Sequence, residues 1–312
     1  MLTSVILKKK TKFLGDITVK KWMALVTLTA ALALSVTTNN PAAAATNIGP
    51  KKCEECHRSE NAVWEKSSHF SAFRGAHKAK GAKEIAKASG GGKSMRKNKI
   101  CIACHYTEIN GKPKAGPSCE SCHGASSEWV DLHNDKKTPR DQRLAASQAA
   151  GMIHSAMIFE IAENCNGCHA MQNVDPATAG KLIDAGHPIN GDYELVKYSN
   201  GEVRHRFYPP DVNTNQEMSK SQMATMFLTG HAVGLVYASR GVSESSNAKY
   251  KDEMQKRIMA AKKAIMSVKG QVGSADALLA DPTEQNARAF VNALAGKDLS
   301  ANVGSMLPTS FK

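Results

Sequence analysis

Polar and apolar positions along the chain predict helices separated by long irregular stretches. Leu144 to Asn164 reads as one helix, and Asn247 to Val268 as a lysine-rich amphipathic one. Asp175 to Gly186 carries its own punctuation, with Asp175 as N-cap, Pro176 at the first helical position and Gly186 as terminator. Ser219 to Ser239 predicts a helix that Gly241 ends, and Asp281-Pro282-Thr283-Glu284 opens a last one that should close at Gly296. Lys52 to about Ala76 also has helical composition. The stretches Lys78 to Lys99, Gly111 to Pro117 and Gly201 to Asn215 read as loops. The expected fold is mostly α, with helices and long loops and little or no β-sheet.

The first 45 residues pattern differently. Lys8, Lys9, Lys10, Lys12, Lys20 and Lys21 form a basic region, Trp22 to Val36 is an apolar run, and Ala43-Ala44-Ala45 offers a small-residue cleavage site. The run is shorter than the roughly 20 residues of a membrane span. A cleaved export signal over 1–45 is expected, followed by a chain that does not span a membrane.

Four copies of one pentad fill the middle of the sequence: Cys53-Glu-Glu-Cys56-His57, Cys101-Ile-Ala-Cys104-His105, Cys119-Glu-Ser-Cys122-His123 and Cys165-Asn-Gly-Cys168-His169. They use all eight cysteines. Cys-x-x-Cys-His attaches c-type haem: the thiols add to the porphyrin vinyl groups and the histidine becomes the proximal iron ligand. A dithiol redox site does not require the histidine, and zinc sites close with two ligand pairs rather than four identical pentads. Four covalently bound c-type haems are therefore expected, with helices and loops wrapped around them. Residues 46–190 would form the tetrahaem domain and 191–312 a mainly helical C-terminal extension packing on it. Haem attachment outside the bacterial cytoplasm agrees with the export signal, so the location is periplasmic, or extracellular at the cell surface.

Composition adjusts this picture in two ways. Aromatic residues make up only 5% of the chain, so four porphyrins would supply much of the core. The formal charge of +13 falls by five, to +8, without the six Lys and one Asp of the signal, and the haem propionates would offset part of the remainder. Lys78, Lys80, Lys83, Lys87, Lys93, Arg96, Lys97 and Lys99 face a single acid, Glu84. This stretch is read as a solvated loop around Gly90-Gly91-Gly92, with docking to an acidic redox partner or anionic surface as the alternative. No nucleic-acid module accompanies the basic charge.

Of the 11 histidines, His69, His77, His133, His154, His187, His205 and His231 lie outside the pentads. Two axial imidazoles suit electron transfer, whereas an open iron admits substrate. Seven candidates suffice for four distal positions.

The run Lys51 to His57 followed by Trp64 and His69, then Cys119 to Gly124 followed by His133 and Lys136-Lys137-Thr138-Pro139-Arg140, resembles the tetrahaem cytochrome c-554 family and its multihaem relatives over Gly49 to Met171. That resemblance implies stacked haem pairs, periplasmic electron transfer, His69 as distal ligand of the third haem and His133 of the first. One haem of the namesake lacks a distal ligand. Ala185-Gly186-His187-Pro188 is similar to a segment of other multihaem cytochromes, where such a histidine is a distal ligand; His187 is accordingly assigned to the fourth haem, and His154 is assigned to the second. An electron carrier between redox partner proteins is thus favoured over a catalyst. The alternatives are a haem enzyme acting on a small nitrogen compound, with His77, His205 or His231 as proton donor, and a homo-oligomer such as an extracellular conductive filament, as some similar cytochromes form.

Overall fold

A computed structural model describes residues 44–189, 191–205 and 214–312. The signal-like stretch, up to residue 43, and most of the loop expected from Gly201 to Asn215 lie outside the described residues. All the elements named below belong to the unit Ala45–Lys312.

The fold is mostly α, and among the described residues the only sheet has two strands. Where one continuing helix was expected after the first pentad, three short ones form: α1 (Pro50–Glu54), α2 (Arg58–Trp64) and α3 (Ser68–Gly75). Ser67 starts the third by accepting the Phe70 amide, a cap of the kind that contributes about 1 kcal/mol. The lysine-rich stretch is not simply a loop. It contains α4 (Ala82–Ala88), and Asn98 caps α5 (Lys99–His105), which carries the second pentad.

β1 (Thr107–Ile109) and β2 (Lys112–Ala115) pair antiparallel across Asn110-Gly111. Both turn residues have positive φ, 51° and 73°, the requirement of a type I′ hairpin. The hairpin lets the second and third pentads follow closely, because α6 (Cys119–His123) begins just after β2.

The helix expected from Leu144 to Asn164 is two helices. After α7 (Val130–Asn134) the chain makes α8 (Arg140–Ala149) and α9 (Ile158–His169), separated by Gly151 at φ +96°. A Cβ on Gly124 would collide with the Gly151 carbonyl oxygen, so the break presses directly against the end of the third pentad. A continuous helix could not make that approach.

The remaining helices are α10 (Pro176–Asp184), α11 (Leu195–Ser199), α12 (Lys220–Glu244), α13 (Ala248–Met266), α14 (Ala275–Ala280), α15 (Glu284–Asn292) and α16 (Ser300–Val303). Asp175 caps α10 as expected, and Ser219 forms a capping box with Gln222. Thr283, not Asp281, caps α15. α12 and α13 pack together, and α12 also lies against α9, α11 and α15.

The apolar core belongs to this second half. Its cluster of buried residues runs from Phe159 to Val303 and includes Leu228, Leu235, Met254, Ile265 and Phe290. Buried apolar side chains before Phe159 are few and mostly small, Trp129 and Tyr106 being the largest. Helices α11 to α16 therefore pack with α9 and α10 around a core of Leu, Val, Ala and Met, whereas the described part of the pentad-rich half has little apolar side-chain core of its own.

Candidate haem-binding centre

Each pentad histidine sits opposite one other histidine. The ring centroids of His57 and His133 are 6.2 Å apart, those of His69 and His169 6.0 Å, those of His105 and His187 6.1 Å, and those of His123 and His205 6.2 Å. An imidazole nitrogen binds a transition metal at about 2 Å and its ring centre lies about 1 Å behind, so two imidazoles across one ion stand about 6 Å apart. Four independent pairs at this separation fit four iron sites, numbered here by pentad.

His133 stands opposite His57, the partner that the resemblance implies. The other expected partnerships differ. His69 faces the fourth pentad's His169 rather than His123, and His187 faces the second pentad's His105 rather than His169. His154 faces no pentad histidine among the described residues. It lies in the turn ahead of α9, where its Nδ1 accepts the Ala156 amide. His205, one of the three histidines to which the sequence assigns no haem, is opposite His123. No local pattern marks it, since it follows an irregular stretch and its role comes from a contact with a distant segment.

Local hydrogen bonds orient these rings. Nδ1 of His123 lies 2.8 Å from the Ile153 carbonyl, Nδ1 of His133 2.6 Å from that of Val130, and Nδ1 of His187 3.0 Å from that of Pro188. An Nδ1–H donated to a carbonyl fixes the tautomer and leaves Nε2 as the free lone pair, the arrangement of metal-ligating histidines. Burial pushes His105 and His169 down to about 4, helped by the neighbouring His187 and His69, respectively. Desolvation lowers His69, His123, His133 and His187 as well. All six rings are thereby favoured in the neutral form that can bind metal.

The cysteines set the order of the sites in space. Cys53 lies beside Cys119 and Cys168 beside Cys104, while Cys122 is close enough to feel Cys165 and Cys168 electrostatically. The matching helices touch: α1 with α6, α6 with α9, α9 with α5. The pentads therefore adjoin in the order first, third, fourth, second. All eight thiols are free, so no pentad is closed as a disulfide.

Two further features fit a porphyrin. The pentad-rich half has little apolar side-chain core, and two buried polar atoms there have no partner among the described residues: Trp129 Nε1 and His77 Nδ1. Buried donors normally have acceptors, and haem propionates are acceptors of the right kind. The Trp129 ring stands edge-on to His133, 5.2 Å away.

Pentads, facing imidazoles and a helical frame define a c-type cytochrome, an electron carrier with covalently bound c-type haem. Residues 52–124 are similar to the family model described as cytochrome c554 and c-prime. The chain is also 28% identical over 178 residues to cytochrome c-554 of Nitrosomonas europaea, covering 48% of this chain and 71% of that protein. No solved structure matches the chain significantly.

Proposed function

We propose that this protein is an exported tetrahaem cytochrome that passes electrons between redox partners through four bis-histidine haems. The observation that carries the reading is the recurrence of four histidine pairs within 6.0–6.2 Å, one at each pentad. Haem supplies the one-electron chemistry. The chain's own residues space the sites, exclude water and set the local charge that tunes each potential.

The spatial order makes the first and second sites the two ends of the array and the third and fourth its middle. Cys56 and His57 of the first site are exposed, whereas Cys101 of the second is buried. Beside the second site, Lys80, Lys83, Lys87 and Lys97 are exposed and form no ion pair among the described residues. This lobe suits an acidic partner docking near one end of the array. Periplasmic or cell-surface location follows from the export signal and the haem chemistry.

His187 bears on the choice between carrier and enzyme. The namesake has one haem without a distal ligand, but here each pentad histidine has an opposing ring. Saturated coordination supports a carrier. Ferric electron paramagnetic resonance, with a pyridine haemochrome count, tests this: four haems per chain and only low-spin signals are expected. A high-spin signal amounting to one haem per chain would move the reading to small-molecule catalysis at an open iron.

A further inference from the structure

The second residue of α6, Glu120, is 6% exposed. One carboxylate oxygen accepts the Ile48 amide at 2.9 Å, the Ser126 amide at 3.1 Å and the Ser126 hydroxyl. The other accepts the Gly49 amide at 2.8 Å. Both oxygens take backbone N–H donors, the pattern that suits a carboxylate. Its donors are all neutral, and no Lys or Arg pairs with it among the described residues. A carboxylate charge at this position would sit in a low-dielectric setting, where its field is weakly screened.

Its position gives that charge two roles. Ile48 and Gly49 lead into α1, which carries the first pentad, while Glu120 belongs to the third. Gly49 has φ +98°, and a Cβ there would collide with Ile109, so the entry to α1 is fixed on both sides. Glu120 also acts electrostatically on Cys53 and Cys119, the adjoining thiols of the first and third sites.

We infer that Glu120 is a positioning residue for electron transfer: it fixes the first pentad against the third, and its buried charge lowers the reduction potentials at these two sites. The inference rests on the tetrahaem reading. A negative charge near iron favours the ferric form, so removing it favours reduction.

The test is a potentiometric titration, followed by visible absorbance, of the intact holoprotein and its Glu120→Gln and Glu120→Asp variants. Glu120→Gln keeps the shape and removes the charge. Two of the four haems should become easier to reduce by about tenfold in equilibrium constant, or 59 mV for one electron. Glu120→Asp keeps the charge but loosens the clamp, and should change every haem by less than threefold. The inference is overturned if Glu120→Gln stays within threefold at all four haems, moves all four together, or is matched by Glu120→Asp. Should Glu120→Gln fail to mature, Ser126→Ala removes one donor and retains the charge. It should lower the same two potentials, and no change or a rise would overturn the assignment. Fewer than four haems per wild-type chain would instead refute the tetrahaem reading.

Discussion

His105 and His187 face each other at 6.1 Å with their rings inclined by 56°, although one ends α5 and the other follows α10. On the tetrahaem reading the pair would close the second site. His187→Ala should convert one haem of four to high spin and allow it to bind carbon monoxide, seen as a Soret shift on reduction. His154→Ala should leave the low-spin spectrum intact. The reverse result would restore His154 as the ligand.

The basic lobe gives a kinetic expectation. Reversing Lys80, Lys83 and Lys87 to Glu should slow electron exchange with an acidic redox protein about tenfold at low ionic strength, and the difference should fade in high salt. Stopped-flow reduction across a salt series measures this. Equal rates at low salt would remove the lobe as a docking surface.

His231 on α12 predicts a pH effect outside the histidine pairs. Burial, and then Arg257, lower it to about 4, against about 6.5 in an unfolded chain. The folded state therefore binds fewer protons between those values. The contribution is fully present above pH 6.5 and is lost as pH falls toward 4, at most roughly 3 kcal/mol and less for the part of the ring that water reaches. His231→Phe should flatten the stability profile over this window in denaturant titrations. An unchanged slope would show that His231 takes up its proton without unfolding.

Phe290 is fully buried in the C-terminal core. Phe290→Ala should cost about 3–5 kcal/mol, read as a lower melting temperature. Haem count and spin state should be unchanged below the transition, because Phe290 belongs to the apolar cluster and to no pentad or histidine pair. Loss of haem would mean that the second half holds the first in shape.

The sequence and the structure meet at local features and part at distant ones. The pentads are contiguous, and the caps Asp175 and Ser219 act within a few residues, so both are readable. The Asn110-Gly111 hairpin is also marked locally, by the dipeptide that type I′ turns demand, but the Gly and Pro content around it gives the whole stretch the look of a plain turn-rich link. Gly151 inside an otherwise helical pattern signals a break whose purpose, close approach to Gly124, lies in a different segment. The histidine partners are least legible. His69, His187 and His205 follow no spacing rule relative to the pentads they face, because their positions depend on how α3, α10 and the segment before α12 come to rest around the array.

The crossed histidine pairs also impose a timetable on a chain that emerges from its N-terminus. The first pair is complete once residue 133 has appeared, the fourth at residue 169, the second at residue 187 and the third at residue 205. The third pentad, in the middle of the array, waits longest for its partner although its own cysteines emerge before those of the fourth. A fragment stopped just after the last pentad would contain every cysteine and yet have only two histidine pairs complete, so on the tetrahaem reading cofactor attachment and completed coordination would be separable stages.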